Sequence, residues 1–323
     1  MFRDSIEKFP RQFLWDPVIE NAENFWHREN IIVAGMGGSH LSADLLKAWK
    51  PELKLFVWSD YGLPPIPDAE RDSTLIIASS YSGNTEETLN AYMTAQRMRL
   101  PLIAISVGGR LLDYAKRDGV PFIRMPDTKI QPRMSLGFGA KALLKIVGEE
   151  RALGDITLLS ESLLHGTVDY AGKKLAEKLK NKIPVIYASA RNRAVARVWK
   201  IKLNESAKTP AFYNVFPELN HNEMTGFDMV PQTAQLSAKL HFVFLKDAGD
   251  NPAILRRMEI TEEVLRKKQL PVESVWMQEG SRFHTIFSSI FYCDWVTLYL
   301  AEMYHVDPEE VLLIEEFKRK MSR

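Results

Sequence analysis

The chain has 323 residues, which is enough for about two domains of ordinary size. Hydrophobic residues make up 46% and charged residues 26%, which excludes a wholly disordered chain, a collagen and a coiled coil. Lys and Arg number 42 against 41 Asp and Glu, and this net charge of +1 gives no reason to expect nucleic acid or a membrane surface as a partner.

The single cysteine, Cys293, excludes a disulfide framework within the chain and favours a reducing, cytoplasmic location. It lies in an apolar run, so we expect a buried structural thiol rather than a nucleophile. The start of the chain carries charges of both signs and lacks the apolar segment of a signal peptide. Residues 285–304 are the most apolar segment, but Asp294 and Glu302 within it favour a core helix over a membrane span.

Strands and helices alternate in the first half of the chain. Apolar runs at 31–34, 74–80 and 100–106 predict buried strands. A glycine-rich turn follows the first run and a serine-rich turn follows the second, and each leads into a helical pattern. This alternation predicts the doubly wound α/β class, in which helices cover both faces of a mainly parallel sheet.

The second half repeats this order of elements. Runs at 182–189 and 240–247 predict strands, and 266–280 resembles 96–109, including a shared Leu-Pro pair. We therefore predict two α/β subdomains of similar plan, joined by one connecting helix and followed by two C-terminal helices that pack on the first subdomain. The predicted boundaries are 1–154, 155–180, 181–283 and 284–323. Pro308 suits the first turn of the final helix, with Asp307 as its N-cap.

Gly37, Gly38 and Ser39 lie in the glycine-rich turn. Backbone N–H groups in such a turn can reach an anion at the N-terminus of the following helix. No Gly-Lys-Ser/Thr follows, which excludes a Walker loop, and His40 breaks the dinucleotide-binding pattern. Taken alone, this motif is more often a tight turn that needs positive φ.

Ser80, Ser82 and Thr85 crowd the serine-rich turn. Each hydroxyl can cap the following helix or donate to a phosphate oxygen, and the helix dipole favours an anion there. Capping needs one hydroxyl, so the excess favours a phosphate site. Its place after a strand agrees, since open α/β sheets bind ligands at the carboxyl ends of their strands.

Residues 204–223 concentrate carboxylates and amides around Glu205 and His221. One histidine without another at i+4 is a poor zinc pattern, so we predict no metal; the density of groups indicates acid–base chemistry. A structural histidine stays open as an alternative for His221. Arg133, at the start of a predicted helix, is either a surface cation or a donor to a developing oxyanion. Lys318 lies in a charged run that is typical of a solvent-exposed helix face.

Five segments together resemble the bifunctional phosphoglucose/phosphomannose isomerases of archaea and bacteria. They are GMGGSHLSADLL, SSYSGNTEETL, PRMSLG, NESAKTPAFYNVFPELNHNEMTGF and the last helix. That family belongs to the phosphoglucose isomerase superfamily and has two sugar-isomerase (SIS) domains. The resemblance covers nearly the whole chain. It implies a cofactor-independent isomerase of carbohydrate metabolism, which interconverts glucose 6-phosphate, and also mannose 6-phosphate, with fructose 6-phosphate through ring opening and a cis-enediol(ate).

The resemblance also implies a role for each candidate residue. Glu205 resembles the catalytic base, His221 the ring-opening acid–base and Lys318 the lysine that assists ring opening. Arg133 resembles the arginine beside the enediolate. The phosphate ligands correspond to Ser80, Ser82 and Thr85, and the sugar side is lined by Gly37, Gly38 and Ser39. Because the family's histidine reaches the site from the neighbouring subunit, the resemblance implies a homodimer with His221 contributed across its interface.

One feature departs from the family, and two other functions stay open. Mannose-phosphate activity is linked to a threonine near the C-terminal helix, but 307–318 contain none; Glu309 or Val311 stands in its place. One alternative is a regulator that binds a sugar phosphate without turnover; no appended DNA-binding segment or basic charge supports it. The other is an SIS enzyme for a different phosphosugar. A glutamine-dependent synthase is disfavoured because Phe2 replaces the required N-terminal cysteine.

Overall fold

The computed structural model describes residues 2–164 and 167–321, and their contacts divide them into two compact units. The N-terminal unit comprises residues 7–164, and the C-terminal unit comprises residues 2–6 together with 167–321. Each unit contains one mainly parallel sheet with helices around it. The predicted α/β class with mainly parallel sheets is therefore confirmed.

Six strands form the sheet of the N-terminal unit, in the order β1-β6-β5-β4-β2-β3. The strands are β1 (Ile19–Glu20), β2 (Asn30–Ala34), β3 (Leu55–Trp58), β4 (Thr74–Ser79), β5 (Leu102–Ser106) and β6 (Phe122–Arg124). β1 pairs antiparallel with β6, and the other pairs are parallel. The first helices of the chain are α1 (Phe2–Glu7), α2 (Gly38–Trp49), α3 (Glu86–Arg97), α4 (Gly109–Arg117), α5 (Leu136–Val147), α6 (Glu150–Asp155) and α7 (Leu159–Ser162).

The central strands β2, β4 and β5 are almost entirely buried, as the apolar runs predicted for strands covered on both faces. Helices α2 and α5 pack closely on each other. The hydroxyl of Ser42 donates to the carbonyl of Leu136 at 3.1 Å, and a Cβ at Gly139 would lie 2.4 Å from the same hydroxyl. This contact fixes the start of α5 against the first half of α2.

The C-terminal unit has a four-stranded, all-parallel sheet in the order β10-β9-β7-β8. The strands are β7 (Ile183–Ser189), β8 (Phe212–Phe216), β9 (Leu240–Lys246) and β10 (Val272–Trp276). The helices are α8 (Val168–Leu179), α9 (Arg193–Glu205), α10 (Ala234–Ser237), α11 (Pro252–Lys267), α12 (Arg282–Tyr304) and α13 (Leu312–Met321).

The two sheets share one plan, which agrees with the internal repeat inferred from the sequence. The order β5-β4-β2-β3 in one unit matches β10-β9-β7-β8 in the other, with the same order along the chain. The similarity extends to single residues: Arg99 and Gln269, before the Leu-Pro pairs, have φ of 54° and 60°. The N–H groups of Leu100 and Leu270 each donate to the carbonyl five residues earlier, both at 3.0 Å.

The prediction of one connecting helix over 155–180 is wrong. α6 ends at Asp155, a 3₁₀ turn covers Ile156–Leu158, and α7 is a single short turn; Gly166, which marked a possible break, lies outside the described residues. The hydroxyl of Thr157 donates to the carbonyl of Leu153 at 3.1 Å and accepts from Lys141 at the same distance. Such a bond from side chain to backbone competes with regular helix, which explains the 3₁₀ turn here.

The apolar segment 285–304 lies within the buried helix α12, as expected. Cys293 is fully buried, and burial raises the pKa of its thiol, which agrees with a structural role. α12 packs on α8 and α9 of its own unit, whereas the C-terminal helices were predicted to pack on the first subdomain. Within the described ranges, no helix has the length and apolar character needed to cross a bilayer.

Two C-terminal helices are present, but the second starts later than predicted. α13 begins at Leu312, and Pro308 lies outside it. The carboxylate of Asp307 accepts the N–H of Glu309 at 2.8 Å, which closes a local turn instead of capping the helix. The expected N-cap is therefore part of the connection between α12 and α13.

Acid should destabilise the C-terminal unit through Glu262 on α11. Burial alone would raise the pKa of Glu262, but hydrogen bonds from Lys246, Ser274 and Arg266 lower it from 4.5 to about 2. Because the folded pKa is depressed, the stabilisation is complete above pH 4.5 and is lost as the pH falls toward 2. We expect a loss of up to about 3 kcal/mol in the free energy of unfolding.

Denaturant titrations between pH 7 and pH 2.5 test this expectation. Glu262→Gln should be less stable than wild type at pH 7 and should show a flatter dependence on pH. Glu259→Gln, on the same helix but exposed, is the matched control and should keep the wild-type slope. A wild-type slope in Glu262→Gln would contradict the assignment.

Candidate active site

The residues predicted to act are divided between the two units. The N-terminal unit holds Gly37, Gly38, Ser39, Ser80, Ser82, Thr85 and Arg133, and the structure brings these together. The C-terminal unit holds Glu205, His221 and Lys318. Each group is described within its own unit.

The glycine turn (35–39) is held against the serine turn (79–85). Gly37 has φ of +52° at the N-cap of α2, a conformation that glycine adopts without the steric cost met by other residues. The hydroxyl of Ser39 accepts the N–H of Tyr81 at 2.9 Å, and its carbonyl accepts the hydroxyl of Ser79 at 2.8 Å. Since β2 and β4 are adjacent and parallel, both turns lie at the carboxyl edge of the sheet, as predicted.

The hydroxyls of the serine turn bond to one another and to the turn itself. The buried hydroxyl of Ser80 lies 2.8 Å from that of Thr85 and accepts the N–H of Gly83 at 3.1 Å. The exposed Ser82 accepts the N–H of Asn84 at 3.2 Å. Thr85 occupies the N-cap of α3, yet its side chain makes no capping bond. Simple capping therefore does not account for these hydroxyls, and the N-terminus of α3 remains a place where an anion is favoured.

Arg133 adjoins the glycine turn and is only 1% exposed, so the interpretation as a surface cation is wrong. It belongs to a 3₁₀ turn, Pro132–Met134, that precedes α5. A Cβ at Gly38 would lie 2.7 Å from the carbonyl carbon of Pro132 and 2.9 Å from the backbone nitrogen of Arg133. The absence of a side chain at Gly38 is thus what allows the arginine to sit beside the start of α2.

Gly38→Ala should therefore displace Arg133. The added methyl meets backbone atoms, which yield less readily than a flexible side chain, and a misplacement of about 1 Å at a positioned group can cost about 100-fold in rate. If Arg133 is the oxyanion donor that the sequence predicts, kcat/KM should fall at least about 10-fold.

Steady-state kinetics on the folded variant is the measurement. Gly154→Ala, where an added Cβ meets nothing within 4 Å, is the control and should keep wild-type kinetics. Wild-type kcat/KM in Gly38→Ala would contradict the placement of Arg133.

In the C-terminal unit, Glu205 is half-buried at the last residue of α9. Lys208 follows with φ of +52°, and its amine donates to the carbonyl of Glu205 and to the carbonyl of Glu310, each at 2.5 Å. These bonds attach the segment before α13 to the turn after Glu205. Lys318 lies on α13 and is exposed.

His221 lies in what we call the His221 loop (217–227), which consists of two 3₁₀ turns. The side chain of His221 is exposed, and within the described residues its imidazole makes no hydrogen bond. Its neighbours are bonded: Asn220 donates to the hydroxyl of Thr261 at 2.9 Å, and Asn222 donates to Glu218 at 2.7 Å. The imidazole is thus available for chemistry while the residues around it are held.

Sequence reasoning missed two residues that contact the His221 loop, Tyr187 on β7 and Asn214 on β8. Tyr187 donates to one carboxylate oxygen of Glu223 at 2.5 Å, and Asn214 donates to the other. Glu223 is therefore a hydrogen-bond acceptor of the fold rather than one of several acid–base candidates. A tyrosine within an otherwise aliphatic buried strand is the signal that could have been used, since a buried Tyr hydroxyl usually finds a partner.

The carboxyl edge of the second sheet corresponds to the edge that holds the glycine and serine turns in the first. There a carboxylate of the chain itself accepts hydrogen bonds from nearby arginines. Asp247, after β9, accepts from Arg191 at 3.2 Å and from Arg282 at 2.8 Å. Burial of Asp247 opposes ionisation, but Asn192, the N–H of Gly249 and the two arginines lower its pKa. The N-terminus of α11 offers few free N–H groups to an anion, because Asn251 caps it and Pro252 is its first residue.

Comparisons with known proteins agree with these observations. The family model described as bacterial phospho-glucose isomerase C-terminal SIS domain matches residues 169–321. A tagatose-6-phosphate ketose/aldose isomerase structure from Escherichia coli has a TM-score of 0.67 at 16% identity and covers 96% of this chain and 95% of that one, which shows the shared SIS-type fold.

Two curated relatives are informative. A D-glucosamine-6-phosphate 4-epimerase of Sulfolobus acidocaldarius is 28% identical over 228 residues, 66% of this chain and 69% of that protein. A bifunctional phosphoglucose/phosphomannose isomerase of Caldicellulosiruptor bescii is 34% identical over 311 residues, 91% of this chain and 90% of that one. The chain therefore belongs to the bifunctional phosphoglucose/phosphomannose isomerase family.

Proposed function

We propose that the chain is an aldose–ketose isomerase that interconverts glucose 6-phosphate, and also mannose 6-phosphate, with fructose 6-phosphate. Family membership over 91% of the chain supports this activity. The observation that carries the proposal is the pair of joined turns beside a buried arginine: Ser80, Ser82 and Thr85 follow β4, and Gly37, Gly38 and Ser39 follow β2. Hydroxyls and backbone N–H groups at a helix start suit a phosphate ester.

Substrate binding begins with the phosphate. The exposed hydroxyl of Ser82 donates to its oxygens, Ser80 and Thr85 give up their mutual hydrogen bond to donate as well, and the dipole of α3 favours the negative charge. The glycine turn allows the sugar to approach the backbone closely at Gly37, where an added Cβ would meet nothing within 4 Å, while Gly38 admits the backbone of Arg133. Binding energy from this end of the substrate positions the reacting carbons without contacting them.

Ring opening comes next, since the C2–H bond of the closed sugar has very low acidity. A base must accept the proton of the O1 hydroxyl while an acid donates a proton to O5. His221 performs this exchange, and Lys318 assists it. An imidazole suits the task because its ordinary pKa lies close to neutral pH.

Proton transfer then takes place in the open-chain aldehyde. The carboxylate of Glu205 removes the proton from C2, the electron pair moves to form the cis-enediol(ate), and the proton returns to C1. One carboxylate suffices because C1 and C2 are adjacent. The guanidinium of Arg133 stabilises the developing oxyanion, an interaction worth about 3–4 kcal/mol in comparable sites.

Mannose 6-phosphate requires no further group. It differs from glucose 6-phosphate at C2, and the cis-enediol(ate) has lost that stereocentre. The same base therefore serves both epimers if the C2–C3 bond rotates in the site. The absence of a threonine at 307–318 means that Glu309 or Val311 would have to leave the room that the second epimer needs.

Coupled assays with glucose 6-phosphate and mannose 6-phosphate, in the presence of a chelator, test the activity. Turnover of both supports the proposal, and turnover of glucose 6-phosphate alone would restrict it to one epimer. Because one relative is named a D-glucosamine-6-phosphate 4-epimerase, glucosamine 6-phosphate is the comparison substrate. Faster turnover of the amino sugar would favour that second function, and tight binding without any turnover would favour a sensor.

We also propose a homodimer in a cytoplasmic location. The exposed His221 makes no hydrogen bond among the described residues, and this supports a role for it in the site of a neighbouring subunit. The apolar side chains of Leu313 and Phe317 on α13 are 80% and 62% exposed, which favours association. Sedimentation equilibrium tests the dimer, and a monomer at assay concentration would contradict it.

A further inference from the structure

The His221 loop gains little stability from its own backbone. It follows β8, and its two 3₁₀ turns cover Glu218–His221 and Glu223–Phe227. Such short turns have poorer hydrogen-bond geometry than an α-helix. The position of the exposed imidazole must therefore be set by side-chain contacts of the loop.

Leu219 anchors the loop in the core of the unit, and Glu223 connects the segment after His221 to the sheet by hydrogen bonds. One oxygen of its carboxylate accepts from Tyr187 at 2.5 Å, and the other accepts from Asn214. Tyr187 on β7 and Asn214 on β8 are register partners in adjacent parallel strands. The carboxylate therefore bridges two paired residues of the sheet, and Tyr187 is completely buried.

Tyr187 is the donor in its hydrogen bond with Glu223. Burial, together with the nearby carboxylate of Glu223, raises the pKa of Tyr187, so the phenol keeps its proton and acts as the donor. The amide of Asn214 can only donate through its nitrogen. Both oxygens of Glu223 are thus used as acceptors, which leaves this residue poorly placed to exchange a proton with a substrate.

We propose that Glu223 is a positioning residue: by bridging Tyr187 and Asn214 it fixes the main chain two residues beyond His221, and so orients the imidazole for ring opening. This inference rests on the proposed function and adds to it a residue that never touches the substrate. Asn220 and Asn222 hold the loop on either side of the histidine in the same way. Among residues 220–223, the side chains of the other three are hydrogen-bonded, and the imidazole of His221 is available to a substrate.

The test measures ring opening separately from proton transfer. Exchange NMR follows the interconversion of the two anomers of glucose 6-phosphate, which requires ring opening alone, and the coupled assay follows isomerisation. Glu223→Ala should slow anomerisation and lower kcat by about 100-fold, because a misplacement of about 1 Å is enough for such a loss. KM should change little, since the phosphate ligands lie elsewhere.

Tyr187→Phe is the milder variant and removes one of the two bonds; we expect about a 10-fold loss in both rates. Tyr292→Phe is the matched control, because this half-buried tyrosine of the same unit also donates one hydrogen bond, to the carbonyl of Ala171 at 3.3 Å. It should keep wild-type rates. Glu223→Gln, which retains an acceptor, should recover part of the activity lost in Glu223→Ala.

A double-mutant cycle separates positioning from general damage. If Glu223 acts through the histidine, its removal should have little further effect in a His221→Ala background. Wild-type anomerisation in a folded Glu223→Ala or Tyr187→Phe chain, or losses that multiply in the double variant, would overturn this inference alone. A wild-type protein that neither anomerises nor isomerises sugar phosphates would overturn the proposed function together with it.

Discussion

Replacing Glu205 with Gln should lower kcat by about 10³- to 10⁴-fold, which is the upper range for loss of a general base. The amide has the same size as the carboxylate but cannot accept the proton from C2. The substitution leaves in place the bond from the amine of Lys208 to the carbonyl of Glu205, so the turn after α9 should be preserved. Binding of a sugar phosphate should therefore change little.

The coupled assay gives kcat, and calorimetric titration with fructose 6-phosphate gives the affinity. Deuterium at C2 should also be lost partly to solvent during wild-type turnover and retained with Glu205→Gln. Glu259→Gln is the matched control, because it removes an exposed carboxylate of the same unit outside the His221 loop. If kcat of Glu205→Gln stayed within 10-fold of wild type, another residue would have to be the base.

Mixing two inactive variants should restore activity if each site takes its histidine from the neighbouring subunit. In a dimer of Glu205→Gln with His221→Ala, one site has both mutations and the other has neither. Random reassociation gives half mixed dimers with one intact site each, so about a quarter of wild-type activity should return. Each variant alone should stay at the low level expected for loss of an acid–base group.

Co-expression with two different affinity tags allows the mixed dimer to be isolated. The purified species should have about half of the wild-type kcat per dimer, since the two sites of a twofold dimer are equivalent. A mixture of Glu205→Gln with Glu205→Gln carrying the second tag controls for effects of exchange. No recovery in the isolated mixed dimer would mean that Glu205 and His221 of one chain serve the same site.

Much of the fold could be predicted because its signals are local. Apolar runs identified the central strands, and their alternation with helices identified parallel sheets. The repeated order of strands was also visible in the sequence, since a Leu-Pro pair precedes both β5 and β10. The break within 155–180 was missed because the sequence does not show that the hydroxyl of Thr157 bonds to the carbonyl of Leu153 instead of facing solvent.

The site was predictable to the extent that topology determines it. Both hydroxyl-bearing and glycine-bearing turns follow parallel strands, so they had to share an edge of the sheet. The burial of Arg133 was not predictable, because it follows from the approach of the 3₁₀ turn to Gly38. The role of Glu223 was also hidden, since it requires the register that pairs Tyr187 with Asn214.

The repeated sheet has a consequence for binding stoichiometry. A chain with two sheets of one plan has two edges, related by the repeat, at which a phosphate site is expected. At the second place Asp247 already neutralises the arginines, and Asn251 and Pro252 close the helix start. A saturation titration should therefore end at one phosphate ester per chain, and in the proposed mechanism the second copy of the fold would contribute acid–base groups instead of a second anion site.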